Sequence, residues 1–229
     1  MSRVIEQLRD EEIVITGRLI DASNATLFGH LKVDESLKII YKPEAGERPL
    51  WDFPDGSLAA RELAAFIFSE VFQFNLVPPT VLRDGPFGYG MVQLWIDEAQ
   101  PENLIEIAQG KQDDLRKMFF FDVLINNADR KYGHILITKS GEILGCDHGI
   151  SFHVEDKLRT VLWQFSDEAL NTSEVETLQN LLKFDFSEFN DLLTPEEIAA
   201  ISKRAKNLLQ MGRMPLPASD RPSIPWPPV

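Results

Sequence analysis

Three residues around one short hairpin have the types and spacing of a metal and phosphate site. Residues 126 to 149 read "NNADRKYGHILITKSGEILGCDHG". Asp129 precedes an expected hairpin, His134 opens its first strand and Asp147 ends its second. A turn at Ser140-Gly141 brings the outer ends of such a hairpin together, so residues 134 and 147 are expected to be neighbours. A carboxylate and an imidazole side by side can bind a divalent cation. Asp129, in the loop just before, can point at the same place as a base. Polar groups set among Ile, Leu and Val must each find a partner or cost stability. Taken singly, Asp129-Arg130 reads as a structural salt bridge and Asp147-His148-Gly149 as a turn. The joint spacing favours a site.

A second set lies upstream. The run "LKIIYKP" ends on Lys42, a residue type depleted in strands. The next helix offers Glu62, with Glu70 as a second candidate. A strand Lys paired with a Glu on the following helix is the arrangement by which protein kinases hold ATP phosphates. The turn "DASNAT" carries Ser23, Asn24 and Thr26. These small polar side chains can lie over phosphates, although no GxGxxG is present.

The elements that must position these residues follow from the pattern. Between Glu12 and Pro43, short β-branched and apolar runs broken by "DASNA" and "VDES" predict three antiparallel strands. "ERPLWDFPDG" reads as a loop. "SLAARELAAFIFSEVFQF" reads as a helix with Ser57 as N-cap and Leu63, Phe66, Ile67 and Phe74 at helical spacing. "LVPPTVLRD" and "GYGMVQLWID" predict two more strands. The second half is mostly helical: Leu115, Met118, Phe119, Val123 and Leu124 form one helical stripe, and one or two helices are expected between Ser166 and Phe189. In "TPEEIAAISKRAKNLLQ", Thr194, Pro195 and Glu197 form a capping box with Pro at the first helical position. The last 16 residues hold six Pro, so they are either extended polyproline packed on the surface or a loose tail.

With 229 residues and 44% hydrophobic content, the chain can bury a core in one domain or two small lobes. Its 36 acidic against 23 basic residues, net charge −13, disfavour nucleic acid and anionic lipid as partners. No apolar run approaches the ~20 residues of a membrane span. A charged N-terminus and a single cysteine, Cys146, suit a cytoplasmic protein.

The segments "IIYKP", "ARELAAF", "VPPTVLRDGPFGYGMVQLW", "NNADRKYGHIL" and "CDHGISF" resemble the atypical kinase superfamily of phosphatidylinositol 3-/4-kinases and HipA-type serine kinases. They are most similar to a bacterial phosphatidylinositol 3-/4-kinase-related family, over roughly residues 12 to 165. The resemblance implies an α+β, reduced two-lobed protein-kinase-like fold. A β-rich N-lobe would span 1–95, a mainly helical C-lobe 96–213 and a Pro-rich tail 214–229. It implies Asp129 as the catalytic aspartate, Asp147 and His134 as metal ligands, Lys42 on the ATP phosphates and Glu62 holding Lys42. Ser23 and Asn24 would cover the phosphates. The segment Met91 to Trp95, with Gln93, Leu94 and Trp95, would be the hinge for adenine. ATP and Mn²⁺ or Mg²⁺ are the implied cofactors, with an unidentified hydroxyl acceptor.

Two departures from the family matter. His134 stands where an Asn is usual; imidazole suits Mn²⁺ better than Mg²⁺. The stretch "ISFHVEDKLRTVLWQF" has few of the basic residues a phosphoinositide headgroup needs, so a protein or small-molecule acceptor is expected rather than a lipid. The alternatives are a nucleotide-binding pseudokinase, an AMP-transferring module, or a metal-dependent hydrolase using His134, His148, His153 and Cys146 on zinc.

Overall fold

Period-two patterning builds a five-stranded antiparallel sheet from β1 (Ile13–Arg18), β2 (Leu27–Leu31), β3 (Asp34–Pro43), β4 (Thr80–Gly85) and β5 (Gly88–Leu94), in the order β1-β2-β3-β5-β4. The computed structural model describes residues 2–19, 24–99, 101 and 103–229; Ser23 lies outside them. Tyr41 pairs with Val92 and Lys42 with Met91, so successive residues of β3 face opposite sides. On one side Ile39, Tyr41, Val81 and Val92 bury against Leu8. Leu8 belongs to α1 (Ser2–Asp10), a short charged helix that the sequence reading did not anticipate. On the other side Lys42 faces α2 (Leu58–Val71).

The start of α2 differs from expectation. Ser57 stands at the N-cap position with φ −100° and ψ −7°, but its side-chain hydroxyl caps none of the helix N–H groups. That hydroxyl donates to Pro54 O at 2.6 Å. The first free N–H groups, of Leu58 and Ala59, donate instead to the Glu47 carboxylate at 3.2 and 2.9 Å. A carboxylate at a helix N-terminus satisfies orphan donors and complements the helix dipole. Phe74 lies beyond the end of α2 yet is 4% exposed in the core.

The helical half is built around α4 (Asp113–Ile125). Its expected stripe is buried, and so are Phe120, Phe121 and Ile125, because α4 is covered on several sides. α3 (Leu104–Ala108) precedes it, and α5 (Thr172–Leu181) and α6 (Pro195–Met211) follow. Both α5 and α6 open on capping boxes, at Asn171/Glu174 and Thr194/Glu197. The hairpin of β6 (Ile135–Ile137) and β7 (Ile143–Gly145) turns about Lys139-Ser140, one residue before the expected Ser140-Gly141, with Gly141 next at φ +87° and its N–H on Thr138 O. The Pro-rich tail is docked: Tyr132 N–H donates to Pro228 O at 2.8 Å, and Thr160 N–H to Ser223 O at 3.0 Å. A β-rich lobe thus precedes a mainly helical one, an α+β arrangement. Among the described residues, no helix is long and apolar enough to cross a membrane.

One buried ion pair joins the halves. Arg61 of α2 donates to Ser151 O at 2.7 Å and to the Glu197 carboxylate of α6, with both side chains almost fully buried. Glu197→Ala leaves the Arg61 charge uncompensated and is expected to cost about 3–5 kcal/mol. Thr194→Ala, which removes only the cap, should cost about 0.5–2 kcal/mol. Urea denaturation midpoints of the two variants check this ordering.

Candidate active site

Three elements converge on Lys42. From β3, its ammonium lies 2.7 Å from Glu62 Oε1 of α2 and 2.8 Å from Asp147 Oδ1, two residues past β7. The second oxygen of Glu62 accepts the His148 N–H at 2.9 Å. Glu70, two turns further along α2, does not take part in this set. Asp147 has φ +59°, in the left-handed region that costs a non-glycine residue strain. In that conformation its other oxygen lies 3.4 Å from His134 Nε2. His134 itself sits on the 3₁₀ turn Tyr132–His134 just before β6 rather than on the strand. Asp129 lines the same cleft as Lys42, Glu62, Asp147 and Asn24. Its N–H donates to Asn127 Oδ1 at 3.0 Å, and Lys131 Nζ stands 3.3 Å from its carboxylate.

The Asp129-Arg130 salt bridge suggested by adjacency does not form. Arg130 turns inward to Asp122 of α4, with both side chains 0% exposed. Its Nη1 donates to the carbonyls of His134 and Cys146 at 3.2 and 3.1 Å, and its Nη2 to His148 Nε2 at 2.7 Å. Gly145 lies against this guanidinium: a Cβ there would sit 3.1 Å from Nη1 and 3.2 Å from Nη2. Sequence reading missed Asp122 as the partner, although an Asp inside an otherwise apolar helix was its available signal.

The protonation states suit anion and cation handling. Burial works against the Lys42 ammonium, but Asp147 and Glu62 outweigh it and raise its pKa. The Asp147 carboxyl is held far below the usual range by Lys42, against its burial. Burial pushes Asp129 up, with Lys131 opposing and Asp147 adding to the rise, which moves a base towards working pH. Burial brings His134 down to about 4, so its imidazole is neutral. A carboxylate and a neutral imidazole 3.4 Å apart at the cleft are a donor set that fits a divalent cation.

The hinge residues are placed differently from expectation. Gln93 pairs with Ile40 on one side and Thr80 on the other, inside the sheet, and its amide donates to Thr80 Oγ1 at 2.9 Å. Leu94 N–H donates to Pro79 O and Trp95 N–H to Lys38 O, both at 2.9 Å. These strand donors are already spent. The histidines and cysteine of the zinc alternative do not converge either. His148 is buried on Arg130, His153 Nε2 lies 3.0 Å from Asp52 O, and desolvation pushes the part-buried Cys146 thiol up to about 12. Among the described residues, no group of three or more His, Cys, Asp or Glu is gathered as a metal centre.

The His134 shift has a defined sign. The unfolded chain takes up this proton near 6.5 and the folded one near 4, so the unfolded state binds more protons between those values. The associated stability is complete above about pH 6.5 and is lost as pH falls towards about 4. In metal-free buffer His134→Asn should make this fall shallower, as read from melting temperature against pH.

No family model matches the chain. Among solved structures, the Golgi casein kinase with Mn/ADP bound is similar with a TM-score of 0.62 and 14% identity, over 92% of this chain and 74% of that one. Hydra Fam20 with sugar is similar with a TM-score of 0.65 and 14% identity, over 92% and 87%. These likenesses establish the reduced two-lobed, atypical kinase-like fold. Protein Rv2133c of Mycobacterium tuberculosis is 40% identical over 262 residues, covering 96% of this chain and 93% of its own. The chain belongs to the family of protein Rv2133c.

Proposed function

We propose that the chain is an ATP-dependent phosphotransferase of the atypical kinase kind, akin to the bacterial phosphatidylinositol 3-/4-kinase-related proteins. Residues 1–95 form its nucleotide-covering lobe, 96–213 its catalytic lobe and 214–229 a docked tail. The observation that carries the reading is Lys42 bonded at once to Glu62 and Asp147, at 2.7 and 2.8 Å, across the two lobes. In protein kinases the pair of a strand Lys with a helix Glu must be in place for transfer. The Golgi casein kinase of the same fold was solved with Mn/ADP, which supports nucleotide and cation as ligands here.

Asp147 and His134 would hold a divalent cation, which supplies charge neutralisation to the β- and γ-phosphates. Lys42 binds phosphate oxygens, and Glu62 keeps its ammonium aimed at them. Asn24 lines the cleft from the β1–β2 turn. Asp129 orients the acceptor hydroxyl and takes its proton late in transfer. Positioning and electrostatics then provide most of the rate. The acceptor is a protein side chain or small molecule rather than a lipid, in keeping with the net charge of −13.

Thermal unfolding with ATP and Mn²⁺ or Mg²⁺ tests the nucleotide site. At 100 times the dissociation constant, binding adds about 2.7 kcal/mol, roughly a 5–10 °C rise for a chain of this size. The wild type should shift, and Lys42→Ala and Asp147→Asn should not; no shift in any of them sinks the reading. Retention of the shift in Asp129→Asn, with turnover down by about 10²–10⁴, separates chemistry from binding. Transfer of label from γ- but not α-labelled ATP separates a kinase from an AMP-transferring module.

The imidazole ligand gives a further expectation. Turnover should be faster with Mn²⁺ than with Mg²⁺, and His134→Asn should narrow that ratio. Equal wild-type rates with the two metals would remove His134 from the ligand set.

A further inference from the structure

The β3–α2 connection, residues 44–57, of which 47–56 reads from sequence as a loop, lines a cavity of about 170 Å³. That is below the about 300–1,000 Å³ of a drug-sized site, so it admits a small molecule and not a lipid headgroup with its chains. Glu47 and Leu58 line both this cavity and the cleft holding Lys42, Asp129 and Asp147. The two spaces therefore adjoin at Glu47 and Leu58.

The lining says what fits. Phe53, 6% exposed, and Leu50 give one apolar side. Glu44, Glu47 and Asp55 supply three carboxylates against one guanidinium, Arg48. Glu47 is engaged on the N-terminus of α2, but Glu44 and Asp55 make no ion pair among the described residues. Ionised carboxylates only accept hydrogen bonds, so they call for hydroxyl or ammonium donors. An anionic ligand would meet like charge at a cost.

We propose that this cavity is the acceptor subsite, taking a small neutral or cationic polyhydroxy compound, a sugar or amino sugar, and rejecting its phosphorylated forms. The proposal rests on the phosphotransferase reading. In the step it serves, the acceptor oxygen bonds to the γ-phosphorus while the bond to the β–γ bridging oxygen breaks. ADP departs with that electron pair, and the hydroxyl proton passes to Asp129.

Amide chemical shifts of the full ¹⁵N-labelled chain test it, titrated with Mg-ADP, glucosamine and glucose 6-phosphate. Glucosamine should move resonances between 44 and 58, and glucose 6-phosphate should bind at least about tenfold more weakly. Leu50→Trp, which fills the cavity, should abolish the glucosamine response and leave that to Mg-ADP intact. Glu44→Lys should narrow or invert the preference. If glucosamine moves nothing there while Mg-ADP shifts residues around Lys42 and Asp147, the subsite falls and the nucleotide site stands. If Mg-ADP moves nothing in the cleft, the phosphotransferase reading falls and the subsite with it. Equal affinity for both sugars overturns the charge argument.

Discussion

The buried guanidinium of Arg130 is the constraint on which the site depends. Taking such a charge out of water costs several kcal/mol, and the cost is offset only if its partners are complete. Here all of its nitrogens are engaged: Nε and Nη2 on Asp122, Nη1 on the carbonyls of His134 and Cys146, and Nη2 again on His148. A lysine has three donors on one point charge and could not span that set. The two carbonyls belong to the residues that open and close the hairpin. Arg130 therefore fixes the separation of His134 and Asp147, the pair that faces the cleft. Gly145 leaves room for the guanidinium: a Cβ there would stand 3.1–3.3 Å from Arg130 and His148, close enough that one of them would have to give way.

From this centre the order propagates into the β-rich lobe. His148, held by Arg130 through Nε2, presents its backbone N–H to Glu62, and Glu62 presents its other oxygen to Lys42. Charge balance follows the same chain. Lys42 neutralises one of the two carboxylates it touches, and Asp147 keeps the remainder, half-exposed at the cleft. Lys42 holds it ionised. A group left anionic and accessible beside a neutral imidazole is poised for a cation rather than for a proton.

How much of this the sequence disclosed depended on the range of each interaction. Strand number, the α6 capping box and the α4 stripe are local patterns, and all appear where the residues place them; the hairpin turn lies one residue earlier. The pairing of Lys42 with Glu62 was legible because strand and helix follow one another, and that of His134 with Asp147 because a hairpin joins them. The misreadings share a cause. Adjacency suggested Asp129 for Arg130, whereas the burial of α4 supplies Asp122. Position suggested Ser57 as the cap of α2, whereas the loop delivers Glu47 from ten residues upstream. Gln93 and Leu94, hinge residues by the family resemblance, lie on β5, where the Gln93 amide is bonded to Thr80 and the Leu94 N–H to Pro79 O. α1 was missed because its role exists only once the sheet offers Leu8 a face.

The fixing of α2 also bears on control of the site. In kinases the Lys–Glu pair is governed by the position of the helix that carries the Glu. Here the residue before Glu62, Arg61, is buried and bonded to Glu197 of α6 and to Ser151 beyond Gly149. Swinging α2 outward would break a desolvated ion pair as well as the Lys42 contact, and the penalty of the first exceeds what an exposed contact could return. The Lys42–Glu62 pair is thus built into the fold rather than switched by helix movement. The 44–57 loop reaches the cleft through Glu47, the same residue that accepts from the first N–H groups of α2. The loop is itself tied to Arg61, whose guanidinium lies 4.8 Å over the Phe53 ring and whose Nε donates to Ser57 Oγ at 3.3 Å, so only its other positions, such as Glu44, Leu50 and Asp55, can vary without loosening α2.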